Sequence, residues 1–513
     1  MGPRAWRGRS RRDRRAYPSL RSSEPRSQRP SDALTGGGRH WRRAQDRRRR
    51  LRLTQRGSLT LLIGLGSTLL VGLFVGVWIA GTQASELAEL EIRFAPLTPL
   101  PPPLAPRELF ERLPVTRASL ELGSISAFEV VSGPVGATGV RGRIYEEVDW
   151  QSPGIPGPVR IEYSLDAELT REVFRVLEQG RVDLGHVVVM DPNSGRLLAY
   201  ASTDVERFPP TQAYPAASLI KVITAAAALS ASPEQARLPC RYTGNPYRLT
   251  RARIDPPRRG NTVTLRKALI TSNNQCFAQL AVHAVGAGPL LAAIGRFGWL
   301  SEPAPAHAAG SADAGEDRLD VGKLGCGLAG CRITPLHAVQ LAASLSHGEL
   351  VSPRWIDRIL DGEGRELPLP ALPAPRRVMS YELAAELREM LVDTTRRGTA
   401  RSAFRDRRGR PLLGNVLVAG KTGSLSGKKP EGRYEWFIGI APADDPQIAV
   451  ATLLVQGELF WRSSSQIAAE VLRKLFCTRQ GCSAANLDRW LHGTAPATAA
   501  LAATASGARG SLN

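Results

Sequence analysis

The spacing of apolar residues changes period several times along this chain, and each change predicts an element. From Leu59 to Ala80, LTLLIGLGSTLLVGLFVGVWIA runs 22 residues without a charge, enough for one bilayer-crossing helix at about 20 residues per crossing. DAELTREVFRVLEQG has helical spacing and ends at Gly180, a stop signal. HVVVMDPNSGRLLAYAS predicts two strands joined by a Pro-Asn-Ser-Gly turn. Helices are predicted from Ser218 to Ser230 and over 264–285, 287–297, 335–347 and 380–396. NVLVAGKTG, YEWFIGIAP and QIAVATLLV predict three strands, the last two joined by ADDP, before a closing helix SSSQIAAEVLRKLF. Two strands early, helices between and three strands late make an α+β fold, one antiparallel sheet with helices on its faces.

Between the apolar run and this body, PLTPLPPPLAP predicts a semi-rigid spacer. Short alternating runs such as ISAFEVV and GRIYEEVDW predict a small β-rich pedestal. The expected organisation is a basic disordered tail (1–57), a transmembrane helix (58–81), a Pro-rich linker (82–110), the pedestal (111–160), the main domain (161–490) and a disordered tail (491–513). Within the main domain, 302–317 reads as a low-complexity surface insertion.

Charge refines this picture. The net charge of +21 is uneven: residues 1–56 hold 19 Arg against 4 acids. The rest of the chain is close to an ordinary globular balance, so the charge does not call for a specific nucleic-acid partner. The arginines before the apolar run orient it by the positive-inside rule, with the N-terminus in the cytoplasm and the main domain outside the plasma membrane. GTQA at 81–84 leaves a cleaved signal as the alternative. The six cysteines, at 240, 276, 326, 331, 477 and 482, would then meet an oxidising compartment. Close spacing favours Cys326–Cys331 and Cys477–Cys482, leaving Cys240 and Cys276 to pair or stay free, with core packing favoured for Cys276. No metal-ligand spacing surrounds them, and no cofactor is expected.

Only 7 lysines accompany 61 arginines, and the first is Lys221, three residues after Ser218 in AASLIKVITAAAAL. Positions i and i+3 share a helix face. Burial in so apolar a helix lowers a lysine's pKa, and a neutral amine takes a proton from serine, which arginine cannot do. Alone, S-x-x-K also fits a core helix with a snorkelling lysine. Two further patterns add to it: Ser272 and Asn274 in LITSNNQCFAQLA, and Lys421, Thr422 and Gly423 in VAGKTGSL.

In the order S-x-x-K, S-x-N, K-T-G, and with VTLRKALITSNNQCFAQLA, CRITPLHAVQLAASLSHGELVSP and RRGTA around them, the chain resembles the transpeptidase domain of penicillin-binding proteins over roughly 160–480. The anchor and pedestal resemble the class B, monofunctional kind. The resemblance implies that Ser218 attacks the D-Ala-D-Ala amide of a peptidoglycan stem peptide and that Lys221 is the base. It implies that Ser272 relays the proton and that Asn274 orients substrate and Lys221. Lys421 supplies positive potential, Thr422 and Ser424 bind the terminal carboxylate beside Gly423, and the Ser218 and Ser424 N–H groups form the oxyanion hole. It further implies inhibition by β-lactams and a SEDS-type glycan polymerase as a partner in wall synthesis. Ser424 stands where threonine is common in the family. The alternatives are a D,D-carboxypeptidase or β-lactamase, and a non-catalytic β-lactam sensor or scaffold. Glu316, in the low-complexity insertion, is discounted as a deacylation base.

Overall fold

The computed structural model describes residues 129–137, 143–151 and 158–491, apart from 368, 370, 371 and 458–460. The expected transmembrane helix, the Pro-rich linker and both tails lie outside the described residues, among which no single helix is long and apolar enough to cross a membrane.

Strands β1 (Glu129–Ala137) and β2 (Arg143–Gln151) lead into β3 (Val159–Asp166). Asp166 then caps helix α1 (Ala167–Gln179), its carboxylate accepting from the Leu169 N–H at 2.7 Å. The hairpin β4 (Leu184–Met190) and β5 (Leu197–Ser202) follows, then α2 (Ile220–Ala231), α3 (Leu265–Ile270), α4 (Asn274–Gln279), α5 (Arg318–Cys326) and α6 (Pro335–Ala343). Strands β6 (Ile356–Leu360) and β7 (Glu366–Leu367), helix α7 (Tyr381–Arg396), strands β8 (Ala419–Lys428), β9 (Glu431–Ala441) and β10 (Ile448–Gln456), and helix α8 (Ser464–Phe476) complete the series.

The five strands expected to share a sheet do so, antiparallel throughout, in the order β8-β9-β10-β4-β5. β4 is buried at every position, so helices cover both faces of the sheet centre. Helices α1 and α8 pack on the sheet and on each other, and α6 packs on β4, β9 and β10. β8 remains an edge, which leaves its outer backbone beside the start of α2. A second sheet runs β1-β2-β3-β6-β7, so the pedestal strands pair directly with strands of the main body. The buried Tyr163 hydroxyl donates to Glu146 across that sheet at 3.0 Å.

Three expectations change. The helix predicted over 264–285 is broken between α3 and α4, and its last part, Leu280–Val285, widens into a π-helix. Asn273 caps the second piece by accepting from the Cys276 N–H at 3.1 Å. The stretch 302–317 is not only surface, because His307 is buried and its ring nitrogen lies 3.1 Å from the Tyr200 hydroxyl. Ala304 and Ala314 are buried beside it in sequence, so a segment whose composition reads as low-complexity is anchored at three positions.

The third change concerns the cysteines. Cys477–Cys482 is bonded, but so is Cys240–Cys276, while Cys326 and Cys331 are free and buried. Cys326 ends α5, where Gly327 takes a left-handed cap with φ 79°. Cys331 starts a strand, Cys331–Ile333, that pairs with residues 311–312 and 214–215. Those two sets of backbone bonds place the thiols independently, so short spacing does not make a bridge. Cys276, on α4, faces the short strand Cys240–Tyr242, which Gln279 also tethers through the Arg241 carbonyl at 3.1 Å.

Alkylation of the denatured, unreduced protein is therefore expected to modify Cys326 and Cys331 alone. Peptide mass mapping checks this, and modification of Cys240 or Cys276 would contradict the pairing.

Candidate active site

Ser218 lies in a single 3-10 turn, Ala217–Leu219, that feeds α2. Ala217 has φ 48°, a left-handed conformation that costs a residue with a Cβ about 1–2 kcal/mol. The turn is held from outside: the Ala216 N–H donates to the Cys331 carbonyl at 3.2 Å, and a Cβ on Gly327 would lie 2.0 Å from the Ala217 oxygen. Helical spacing then returns Lys221 to the side of Ser218. Lys221 Nζ is 2.9 Å from Ser218 Oγ.

Lys221 is fully buried, because α2 is covered by the π-helical segment, by α5 and by the helix Ala287–Arg296. Its amine donates to the Ser272 carbonyl at 2.9 Å and to Asn274 Oδ1 at 2.6 Å, and it lies 2.9 Å from Ser272 Oγ. The Asn274 amide is oriented by its Nδ2, which donates to the Tyr247 carbonyl at 2.9 Å. A neutral amine has two N–H donors and one lone pair. The two carbonyl oxygens use the donors, so the lone pair is left for a hydroxyl. Burial pushes the Lys221 amine down to about 7.

The break between α3 and α4 now has a reason. Ser272 sits in it with φ 57° and offers both its carbonyl and its hydroxyl to Lys221. A continuous helix would use that carbonyl for its own ladder. From the other side, Lys421 on β8 places its Nζ 3.0 Å from the same Ser272 Oγ and donates to the Thr422 carbonyl at 2.7 Å. Lys421 is also fully buried. Burial, and then the nearby Lys221 charge, hold its amine well below its usual value.

Gly423 brings the edge strand against Ser218, since a Cβ there would meet the Ser218 nitrogen at 3.2 Å. Thr422 and Thr399 place their hydroxyl oxygens 2.6 Å apart. Ser424 is exposed, and the Arg433 guanidinium donates to its hydroxyl at 3.4 Å. These groups open onto a cleft of about 670 Å³ whose lining includes Ser218, Tyr247, Gly327, Thr399, Thr422 and Ser424.

The structure thus brings together Ser218, Lys221, Ser272, Asn274 and Lys421 as one hydrogen-bonded cluster, and sets Thr422, Gly423 and Ser424 along its rim. Sequence reasoning missed Tyr247, Thr399, Gly327, Arg433 and Glu435, which line the same cleft. Thr399 lies in the RRGTA segment already singled out, but no local pattern marks the others. Glu316 is exposed beside the Asp317 cap of α5, away from the cleft lining. Among the described residues no His, Cys, Asp and Glu side chains group to hold a metal.

A family model for the penicillin-binding protein transpeptidase domain matches residues 185–476. The peptidoglycan D,D-transpeptidase PbpA of Mycobacterium tuberculosis is 27% identical over 314 residues, covering 53% of this chain and 62% of its own length. PbpA of Mycolicibacterium smegmatis is 29% identical over 263 residues, covering 48% and 51%. The chain therefore spans less than two thirds of the length of these curated relatives. Among solved structures, PBPA from M. tuberculosis aligns with a TM-score of 0.50 at 23% identity, covering 61% of this chain and 81% of that one. The imipenem acyl-enzyme complex of penicillin-binding protein A from the same organism gives 0.51 at 23%, covering 62% and 80%. These structures establish the fold, the α+β class expected from the strand and helix order.

Unfolding returns Lys221 to a pKa of about 10.4, against about 7 in the folded protein. Between these values the unfolded chain binds more protons, so stability rises with pH. Lys221 is expected to contribute up to about 1.4 kcal/mol of stability per pH unit over that window. Denaturant unfolding at several pH values between 7 and 9 checks this. The increment should be absent from Lys221→Met, and equal slopes in the two proteins would contradict it.

Proposed function

Because the chain belongs to the penicillin-binding protein transpeptidase family, we propose that it is a peptidoglycan D,D-transpeptidase acting through a Ser218 acyl-enzyme. The observation that carries this reading is the buried amine of Lys221, 2.9 Å from the Ser218 hydroxyl and lowered to about 7. At neutral pH a large fraction of that amine is unprotonated, which suits a general base.

In this reading Ser218 Oγ attacks the carbonyl carbon of the D-Ala-D-Ala amide while its proton passes to Lys221. The oxyanion is met by the backbone N–H groups of Ser218 and Ser424, an arrangement supported by the close approach at Gly423. One such donor is worth about 3 kcal/mol in the transition state. The proton returns to the leaving amine through Ser272, whose hydroxyl lies between Lys221 and Lys421. D-alanine departs, and Ser218 carries the peptide as an ester. A primary amine from a second strand then attacks the ester carbonyl, forms the cross-linking amide and restores the serine. Asn274 holds Lys221 in place, Lys421 positions the Ser272 hydroxyl, and Thr422 and Ser424 receive the terminal carboxylate. β-Lactams acylate the same hydroxyl, and the M. tuberculosis relative whose imipenem acyl-enzyme has been solved lends support.

The apolar run Leu59–Ala80 supports membrane attachment, with the catalytic body on the extracytoplasmic side. A SEDS-type polymerase is the partner proposed from the class B arrangement of anchor and pedestal.

Fluorescent penicillin should label the purified full-length chain, and Ser218→Ala should remove the label; persistent labelling would refute the nucleophile assignment. Labelling should accelerate as pH rises through about 7, the sign required if the neutral amine is the base. Lys221→Arg should react as slowly as Lys221→Ala, at least about a hundredfold below wild type. A near wild-type rate in the arginine variant would remove the general-base role. Incubation with a D-Ala-D-Ala pentapeptide and an acceptor amine separates transfer from hydrolysis. Cross-linked product is expected to dominate, and exclusively hydrolysed product would favour the carboxypeptidase alternative.

A further inference from the structure

Glu435 has no part in the reaction described above, yet it lines the cleft that holds Ser218. It lies on β9 directly opposite Ser424, so the two side chains share one face of the sheet. Opposed residues are about 5 Å apart and successive Cα atoms 3.8 Å. Gly423 abuts the Ser218 nitrogen, which puts Glu435 roughly 10 Å from the nucleophile.

The Glu435 side chain is only 8% exposed. Its Oε1 is 3.3 Å from the Arg433 guanidinium, but its Oε2 is fully buried and has no hydrogen-bond partner. Burial raises its pKa, and Arg433, the Ser464 backbone and the Gln456 side chain only partly offset that. A buried carboxylate oxygen without a donor is costly to a fold. Arg433 does not relieve it: the guanidinium is 59% exposed and also reaches out to Ser424. A group that completes this site donates a hydrogen bond from the cleft that Glu435 lines, and a positive charge would also offset the burial of the carboxylate. A primary ammonium supplies both, with three N–H donors on a compact cation.

We propose that Glu435 forms a subsite for a primary ammonium group on the peptide that occupies the cleft, with Arg433 and Ser424 at its rim. The identity of the peptide rests on the transpeptidase reading; the cation preference rests on the carboxylate itself. Two sources carry this group: a side chain of the strand that acylates Ser218, and the acceptor amine of the second strand.

The test uses binding rather than turnover, so a failure of the acylation chemistry and a failure of the subsite give different results. The full-length Ser218→Ala protein is titrated calorimetrically with Nα-acetyl-Lys-D-Ala-D-Ala, its side-chain amine either free or acetylated. The free amine is expected to bind about tenfold more tightly. That preference should fall to about onefold when Glu435→Gln is added, and should be largely kept with Glu435→Asp. Equal affinities in Ser218→Ala alone, a comparison that needs no further variant, would overturn the subsite. So would a preference that survives Glu435→Gln. Repeating the titration on wild-type protein already acylated by penicillin G distinguishes the sources. A preference retained there assigns the subsite to the acceptor strand, and a preference lost assigns it to the acylating strand.

Discussion

Two lysine amines withdrawn from water converge on one serine hydroxyl, and most of the local architecture follows from making that possible. Lys221 and Lys421 arrive from a helix and a strand far apart in sequence, and each is within 3.0 Å of Ser272 Oγ. Burial opposes charging either amine, and at Lys421 the nearby Lys221 charge opposes it further. The pocket therefore holds bases where exposed lysines would be acids. Keeping water out requires α2 to be apolar nearly all round, and it is buried at nine of its twelve positions.

Geometry around that hydroxyl is purchased with backbone strain. Ala217 and Ser272 both take left-handed conformations without being glycine, and such conformations persist only when their surroundings over-determine them. At Ala217 the clamps are the Cys331 carbonyl and the close-packed Gly327. At Ser272 they are the end of α3, the Asn273 cap of α4 and the hydrogen bonds to both lysines. The Cys240–Cys276 bond lies two residues beyond Asn274 and ties α4 to the strand Cys240–Tyr242. The following loop supplies the Tyr247 carbonyl that orients Asn274.

The edge position of β8 completes the site. A central strand would have neighbours on both sides, but β8 has one. Its free side meets the start of α2, and Gly423 lets the two backbones approach. The cleft is thus a seam between a sheet edge and a helix start, walled by hydroxyls and backbone groups. Glu435 adds a buried carboxyl group on the next strand, so the seam has amines at one end and a carboxyl beside Ser424.

Much of this was legible before any coordinates. The strand hairpin, the apolar helix with Ser218 and Lys221 one turn apart, and the late three-strand run depend on local spacing, and local spacing is what periodicity reports. The motif residues were legible as a set because three weak patterns occurred in order. The break at Ser272 was not, since the apolar positions of LITSNNQCFAQLA keep a helical period across it; the Asn273 cap and the contacts of Ser272 with Lys221 show only in the fold. Cysteine pairing and the burial of His307 and Glu435 were equally silent, because each depends on what a distant segment brings alongside. What the amino-acid sequence determined by itself was the elements and the chemistry they carry, through contacts between residues a few positions apart. Only the tertiary structure decided which amines lose their water, which thiols meet and which carboxylate oxygen is left without a donor. Desolvation is set by everything packed within a few ångströms, and none of that is written in neighbouring positions along the chain.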